Sequence, residues 1–373
     1  VHPGDDNAEV IRLREGVVLR VTSQRPGAQE LTVEIDGMPA PALAYPALVG
    51  PVLEGDAVLL NTTAVTLDLG SGGAHFVVAV LGTSGTVVGD GPGHVMKLRY
   101  TPLQLATLAV EERDSVHFGR MSGAESLEGT PVVWLPLHSM LGPAAAGARA
   151  AGAARVTYVL TDGAALAAPL SRLAHSLRAA KLLDAVITTG QAFGGDMESV
   201  NVFTGLLAAR VVMEADVILV GDGPGNTGTD TAWGSSAVSS AMALNAVTIL
   251  RGTPVAALRV SFADARERHR GVSHHSLTAI ERVAMGSLQV AVPVLADAEQ
   301  RTVLGEALAG IGERHTIVEV PGEPALDLLA EFGIRAESMG RSVEEDPAFF
   351  LAAGAAGVLA GRLATGEPAR AGG

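Results

Sequence analysis

The sequence predicts an α/β protein: a small N-terminal β barrel or sandwich-like module followed by a doubly wound, mainly parallel α/β domain. Three observations carry that prediction. Residues 1–100 hold short Val-, Leu- and Thr-rich runs separated by turn residues. From Pro131 onward, apolar runs of strand length alternate with helical stretches. Apolar residues make up 48% of the 373 and aromatics only 3%, so the interior must be Ala, Val and Leu, which suits buried parallel strands and close-packed helices. The length itself favours two domains.

In chain order, Val1–Glu9 is acidic and polar, without the basic and apolar regions of a signal peptide. The strand-like runs EVIRLREGVVLRV, ELTVEIDG, DAVLLNTTAVTLDL and AHFVVAVLG follow. Turns at Arg25-Pro26-Gly27, Glu54-Gly55-Asp56 and Gly70-Ser71-Gly72-Gly73 separate them. Thr83 to Gly93 reads as a Gly-rich connection and HVMKLRY as a short strand. Thr101-Pro102-Leu103-Gln104 has the pattern of a capping-box helix start, giving a helix to about Glu112, with Thr107 and Val110 leaving a strand open. Asp114–Gly129 reads as a polar connector. The domains are then 1–100 (β-rich module), 101–130 (connector) and 131–373 (Rossmann-like α/β domain).

In that last part the strands are VVWLPL, RVTYVLT, DAVITTG, ADVILVGDG, PVAALRVS, LQVAVPVL and HTIVEVPG. Between them lie PLSRLAHSLRAAKLL, SVNVFTGLLAARVVM, SSAVSSAMALNAV, SLTAIERVAMG, EQRTVLGEALAGI and PALDLLAEFG, all helix-like. The Ala/Gly-biased PAAAGARAAGAA is either a helix on the sheet face or a loose link.

Composition removes several function classes. There is no cysteine, so disulfides and thiolate metal sites are excluded. A formal net charge of −14 with few aromatics argues against nucleic-acid binding. The uncharged stretch Thr231–Leu250 is long enough for a bilayer, but its Thr, Ser and Asn residues favour a buried amphipathic helix, and Phe349–Leu363 reads as a packed helix. No membrane association is expected, and homo-oligomerisation stays open.

HVMKLRYTPLQ, GDAVLLNTTAV with the following GSGGAHFVVAV, TTGQAFGGDMESVNVFTGL, GDGPGNTGT and RHRGVSHHSL together resemble a bacterial family, best represented in actinobacteria and Gram-positives, that is a conserved domain of unknown function. The resemblance spans essentially the whole chain. It implies a cytoplasmic bacterial protein and brings no catalytic residue with it.

In an open α/β sheet, ligands bind beyond the carboxyl ends of the strands, where the βα loops and the following helix N-termini converge. Four such loops are polar here. They begin at Asp162, at Gly190-Gln191 (continuing through Gly194, Gly195, Asp196 and Glu198), at Asp222 (with Gly223, Gly225, Asn226, Thr227, Thr229 and Asp230) and after Ser261 (with Arg266, Arg268, Arg270, His274 and His275). These residues are the candidate ligand contacts, expected to line one cleft. The Gly221–Asp230 loop is neither a Walker A loop nor a dinucleotide fingerprint; its glycines let backbone amides approach a ligand, and as a lone feature it is also ordinary turn chemistry. The arginines suit a phosphate or carboxylate, against the alternative of a solvated loop paired with Asp264 and Glu267.

Ser273 would cap a helix whose N-terminus keeps His274 and His275 neutral. Neighbouring helix residues point apart, so the two histidines do not readily share an ion. Asp162, Asp196, Glu198, Asp222 and Asp230 could form an oxygen-rich magnesium site through waters. No HExxH spacing is present, and no cofactor is evident from motifs beyond that magnesium option. His138 and Ser139 are assigned to capping and packing, since nothing like GxSxG surrounds them. The leading expectation is a protein that binds, and conceivably turns over, a small anionic ligand such as a nucleotide or phosphorylated metabolite. The rival readings are a non-catalytic assembly or regulatory protein and a metal-dependent hydrolase.

Overall fold

The computed structural model describes residues 11–69, 72–83 and 93–367. The acidic start Val1–Glu9, Gly70 and Ser71 of the third predicted turn, and residues 84–92 of the Gly-rich connection lie outside the described residues. The chain divides into two compact units. One comprises the N-terminal strands and Leu98–Ala106; the other comprises the short strand ending at Lys97 and everything from Thr107.

The first unit is a closed five-stranded barrel, β1 (Leu13–Arg25), β2 (Ala28–Ile35), β3 (Met38–Ala44), β4 (Ala57–Asn61) and β5 (His75–Val80), in the order β1-β2-β3-β5-β4. β1 is 13 residues long and pairs with both β2 and β4. Its register shifts after Val18 and Val21 bend it enough to serve both neighbours. Val18, Leu31, Val33, Val58, Leu60 and Val77 fill the interior. The strand expected through Leu69 stops at Asn61, whose Oδ1 accepts from Thr63 N at 3.1 Å, and a single helical turn follows. Strand β3 was not read from MPAPALA because Pro39 and Pro41 argue against a strand.

Two short strands come next, β6 (Val95–Lys97) and β7 (Leu105–Thr107). The helix expected from Thr101 to Glu112 is absent. Leu98 and Tyr100 both take positive φ (50° and 60°), and the Thr101 hydroxyl bonds back to Leu98 O at 2.8 Å instead of capping forward. Gln104 is likewise turned back, accepting from Tyr100 N at 3.2 Å. The capping-box residues thus close a turn. The expected polar connector Asp114–Gly129 is in part core: Met121 and Leu127 are buried, and Leu127 N donates to Leu250 O at 2.7 Å.

The second unit contains an eight-stranded, all-parallel sheet. Its strands are β8 (Pro131–Leu135), β9 (Val156–Thr161), β10 (Ala185–Thr188), β11 (Met197–Glu198), β12 (Val217–Asp222), β13 (Thr253–Ala256), β16 (Gln289–Pro293) and β17 (Thr316–Val320). The order is β11-β10-β9-β12-β8-β13-β16-β17. Two antiparallel ribbons lie outside the sheet: β14 (Val260–Ser261) with β15 (Gly271–Val272), and β18 (Glu337–Ser338) with β19 (Arg341–Ser342). All seven strand-length runs read from the sequence contribute a strand to the sheet, although PVAALRVS leaves it after Ala256 and ends in β14.

Side chains alternate between two cores. Val132 and Trp134 of β8 face one and Val133 and Leu135 the other, the period of two that a strand imposes. The helices at 202–211, 236–240, 242–249 and 298–308 cover the first face, and those at 141–150, 172–179, 323–331 and 347–365 the second. The sheet is therefore doubly wound. Trp134 Nε1 donates to Ser240 Oγ at 3.0 Å, satisfying the one polar atom of the largest buried side chain.

PAAAGARAAGAA is a helix over Leu141–Ala150, and its Ala/Gly bias has a packing cause. A Cβ on Gly357 would lie 2.0 Å from Ala144 O, and one on Gly147 2.4 Å from Gly354 O. The helix Pro347–Thr365 is long and apolar enough to cross a membrane, but most of it is buried within this unit.

Candidate functional site

The topology places a switch point between two neighbouring strands. The helix after β8 packs on one face, while those after β12 pack on the other. Beyond the carboxyl ends of this pair lies a crevice of about 450 Å³, the size of a small-molecule site. Its walls come from His138 and Ser139 after β8, the Pro224–Gly228 segment after β12, and Arg259, Arg266, His269 and His275 after β13; the 337–339 ribbon closes the far side.

The base of the crevice is a buried hydrogen-bond network. His138 Nε2 is 2.7 Å from Ser171 Oγ, and its Nδ1 is 3.3 Å from Asp222 O. Tyr158 donates its hydroxyl hydrogen to Asp222 O, 2.7 Å away. Asn226 locks the Gly-rich loop: its Oδ1 accepts from His138 N at 3.2 Å, while its Nδ2 donates to Asp222 Oδ2 and Ser236 Oγ at 3.2 and 3.1 Å. The other oxygen of Asp222 accepts from Thr161 Oγ1 (2.6 Å) and Gly163 N (3.1 Å). Burial lowers the His138 pKa to about 4 and raises that of Asp222. The imidazole is therefore neutral at pH 7.

The opposite wall is cationic. Arg259, buried, holds Asp264 at 2.8 Å, and Arg266 grips the same carboxylate through Nε (3.0 Å) and Nη2 (2.8 Å). Arg266 hydrogen bonds keep the Asp264 carboxyl well below the usual range, and burial lowers Arg259 to about 10. Arg341 lies 3.3 Å from Asp346, and Arg268 is 2.6 Å from Asp230. Four guanidiniums thus stand among Asp264, Asp230 and Asp346, with Glu337 also lining the crevice, a concentration of paired charge in which Arg259 and Arg266 reach the wall.

Beside the arginines three imidazoles cluster. Ring centroids are 5.2 Å apart for His269 and His274, 5.6 Å for His269 and His275, and 3.9 Å for His274 and His275. The two consecutive histidines therefore do converge, contrary to the expectation from helix geometry. They sit in the first turn of the short helix His274–Thr278, directly after Ser273, and do not diverge as they would along a regular helix. Ser273 makes no side-chain cap; its hydroxyl is 2.8 Å from His269 Nδ1. Burial is the leading cause that lowers all three pKa values, His269 to about 3.

The other predicted contacts divide. In place of one cleft there are two. The second, about 320 Å³, is lined by Asp162, Gly190, Asn201, Asp222 and Ser239. Gly190 has φ 62°, and a Cβ there would lie 2.1 Å from Asp162 Oδ2, which accepts from Gln191 N at 2.8 Å. Gly225, Asn226, Thr227, Arg266 and His275 line the first.

The remaining residues line neither crevice. Glu198 accepts from Gly194 N and Thr188 Oγ1, both at 2.6 Å, and Asp196 accepts from Val186 N at 2.8 Å and pairs with Arg178. Gly195 packs on Thr188, and Gly223 beneath Ala165. Thr229 donates to Gly234 O at 3.1 Å within its own loop. Arg268 and Asp230 hold each other, His274 stands behind His275, and Arg270 is exposed. Of the carboxylates proposed to share a magnesium, Asp162 and Asp222 line the second crevice while Asp196, Glu198 and Asp230 do not, and all five already accept hydrogen bonds or form ion pairs.

Sequence reasoning set His138 aside as a capping and packing residue and missed Arg259; it also missed the buried Lys97, which lines neither crevice. Lys97 is fully buried, its Nζ 3.0 Å from Ser199 O and 3.4 Å from Glu198. For Arg259 and Lys97 the available signal was a lone cation inside an apolar run, AALRVS and HVMKL.

Fold and site together define a doubly wound α/β protein with a histidine- and arginine-walled crevice at its topological switch point. The chain belongs to the family described as "Protein of unknown function (DUF3866)", whose model matches residues 41–357. No curated protein matches it.

Proposed function

We propose that the protein binds a small anionic ligand, of the kind represented by a nucleotide or phosphorylated metabolite, in the crevice beyond β8, β12 and β13. The observation that carries this reading is the position of Arg259 and Arg266 in the wall facing the Gly225–Gly228 backbone. Guanidinium forks and closely approachable loop amides are complementary to phosphate or carboxylate oxygens. The neutral His138 and the pinned Asn226 loop supply a rigid floor, so little ordering is needed when a ligand arrives.

The test is a thermal-shift screen against inorganic phosphate, nucleoside phosphates, sugar phosphates and small carboxylates at fixed ionic strength. A ligand that binds the folded state raises the melting temperature, and the rise grows with the logarithm of its concentration above the dissociation constant. A dose-dependent rise with a phosphorylated compound, absent for its uncharged analogue, supports the reading. No anion shifting the protein beyond the effect of matched salt would remove it.

A further inference from the structure

We propose that His269, His274 and His275 form a binding site for one divalent transition-metal ion of the zinc class, set against the wall of the crevice. One ring nitrogen from each of the three lies within 4.8 Å of those from the other two. Tetrahedral coordination with metal–nitrogen bonds of about 2.0–2.1 Å separates ligand nitrogens by roughly 3.4 Å, so modest ring rotations bring the trio to bonding distance.

The hydrogen bonds around the rings leave a lone pair on His275 and an unpartnered nitrogen on His274. His275 Nε2 lies 3.1 Å from Thr231 O, an acceptor only, so that nitrogen carries the proton and Nδ1 keeps a lone pair. His269 Nδ1 lies 2.8 Å from Ser273 Oγ and 3.3 Å from Arg259 Nη1, which can only donate, so Nε2 becomes a ligand only with Nδ1 protonated toward Ser273 and Arg259 displaced. His274 Nε2 is shielded from solvent and has no hydrogen-bond partner among the described residues. A buried nitrogen without a partner is costly in a folded protein, and a metal ion would satisfy it. Outer hydrogen bonds of this kind are how proteins fix the tautomer and aim of a metal-binding imidazole.

The fold explains the convergence. The β14–β15 ribbon reverses the chain, Val260 pairing with Val272, and returns the turn bearing His269 beside the helix bearing the other two. Three neutral imidazoles suit zinc, copper or nickel and are poor ligands for magnesium. Three protein ligands leave one coordination position, and His269 and His275 also line the crevice. The nearby Arg259 and Arg266 favour an anionic occupant of that position. This last clause alone rests on the anion reading; metal binding does not require it.

The experiment uses the full chain stripped with a chelator, dialysed against zinc, and analysed for metal by mass spectrometry, with cobalt absorption as a reporter of coordination. The expected result is one metal per chain and a tetrahedral cobalt spectrum. His269→Ala, His274→Ala and His275→Ala should each weaken binding by at least about a hundredfold, beyond the ten- to hundredfold typical of outer-shell changes. His175→Ala, on an exposed helix position, should match the parent. His274→Gln, which keeps bulk and polarity, guards against an alanine variant that fails to fold, and should also lose the metal. Substoichiometric zinc in the parent, or parent-like binding in the folded triad variants, would overturn the proposal. Phosphate-induced thermal shifts of the metal-free protein report separately on the anion reading.

Discussion

The Thr161 hydroxyl donates to the Asp222 carboxylate at 2.6 Å, joining the carboxyl ends of the adjacent strands β9 and β12. The same carboxylate receives Gly163 N and Asn226 Nδ2, so one side chain holds two βα loops and stands between two crevices. Asp222→Ala removes an acceptor from three donors. We expect a loss of about 1–3 kcal/mol of stability, read from the denaturation midpoint at unchanged slope. A change within about 0.5 kcal/mol, the range of ordinary surface substitutions, would show that the loops are held by other contacts.

His138 makes stability depend on pH. In the unfolded chain its imidazole takes up a proton near pH 6.5, whereas burial keeps it neutral in the folded protein down to about 4. Unfolding therefore binds a proton in that window, and stability falls as pH drops from 6.5 to 4. The contribution is on the order of 3 kcal/mol at full protonation. His138→Gln should make the stability profile shallower over the same range, with the other buried histidines, His269 among them, keeping part of the slope. A profile as steep as the parent's would assign the acid sensitivity to other groups.

The α/β core makes opposite predictions for two glycines. Gly357→Ala pushes a methyl into Ala144 O and should cost roughly 1–3 kcal/mol, since neither helix backbone yields easily. Gly305, inside the helix Ala298–Leu308, has open space where a Cβ would go, and Gly305→Ala should gain about 0.5–1 kcal/mol from helix propensity. Paired melting experiments read both; equal shifts would contradict the close helix approach at Ala144.

Among the arginines of the basic segment, only Arg266 lines the crevice, while Arg268 is paired with Asp230 and Arg270 is exposed. With a phosphate-bearing ligand in hand, Arg266→Ala should weaken binding at least about tenfold, the equivalent of one charge-assisted hydrogen bond. Arg270→Ala should have little effect. Titration calorimetry at two salt concentrations separates the two, because the lost contact also lowers the salt dependence. Equal effects of both substitutions would indicate diffuse charge attraction with no specific contact.

The parts of the fold that were legible follow from period and burial. Parallel strands covered on both faces appear as continuous runs such as VILV and VAVP, and each such run is a strand. Strand β3 was hidden because Pro39 and Pro41 carry the opposite local signal, and the false helix at Thr101 arose because a capping box is only a four-residue pattern. Gly225, Asn226, Thr227 and Arg266 could be placed at the crevice because βα loops of a parallel sheet share an edge. Gly194 to Glu198 occupy such a loop too, yet they fold back as strand β11 and consume their polar groups there. The histidine cluster was illegible because it depends on the β14–β15 reversal, which brings His269 to residues five and six positions further on.

The most direct measurement of anion binding at the switch point is anomalous diffraction from crystals of the full chain soaked in tungstate, an electron-dense oxyanion. The expected result is a peak in the crevice, within contact of the Arg259 or Arg266 guanidinium and of the Gly225–Gly228 backbone amides. Tungstate bound only at exposed surface arginines, or an empty crevice at saturating concentration, would contradict it.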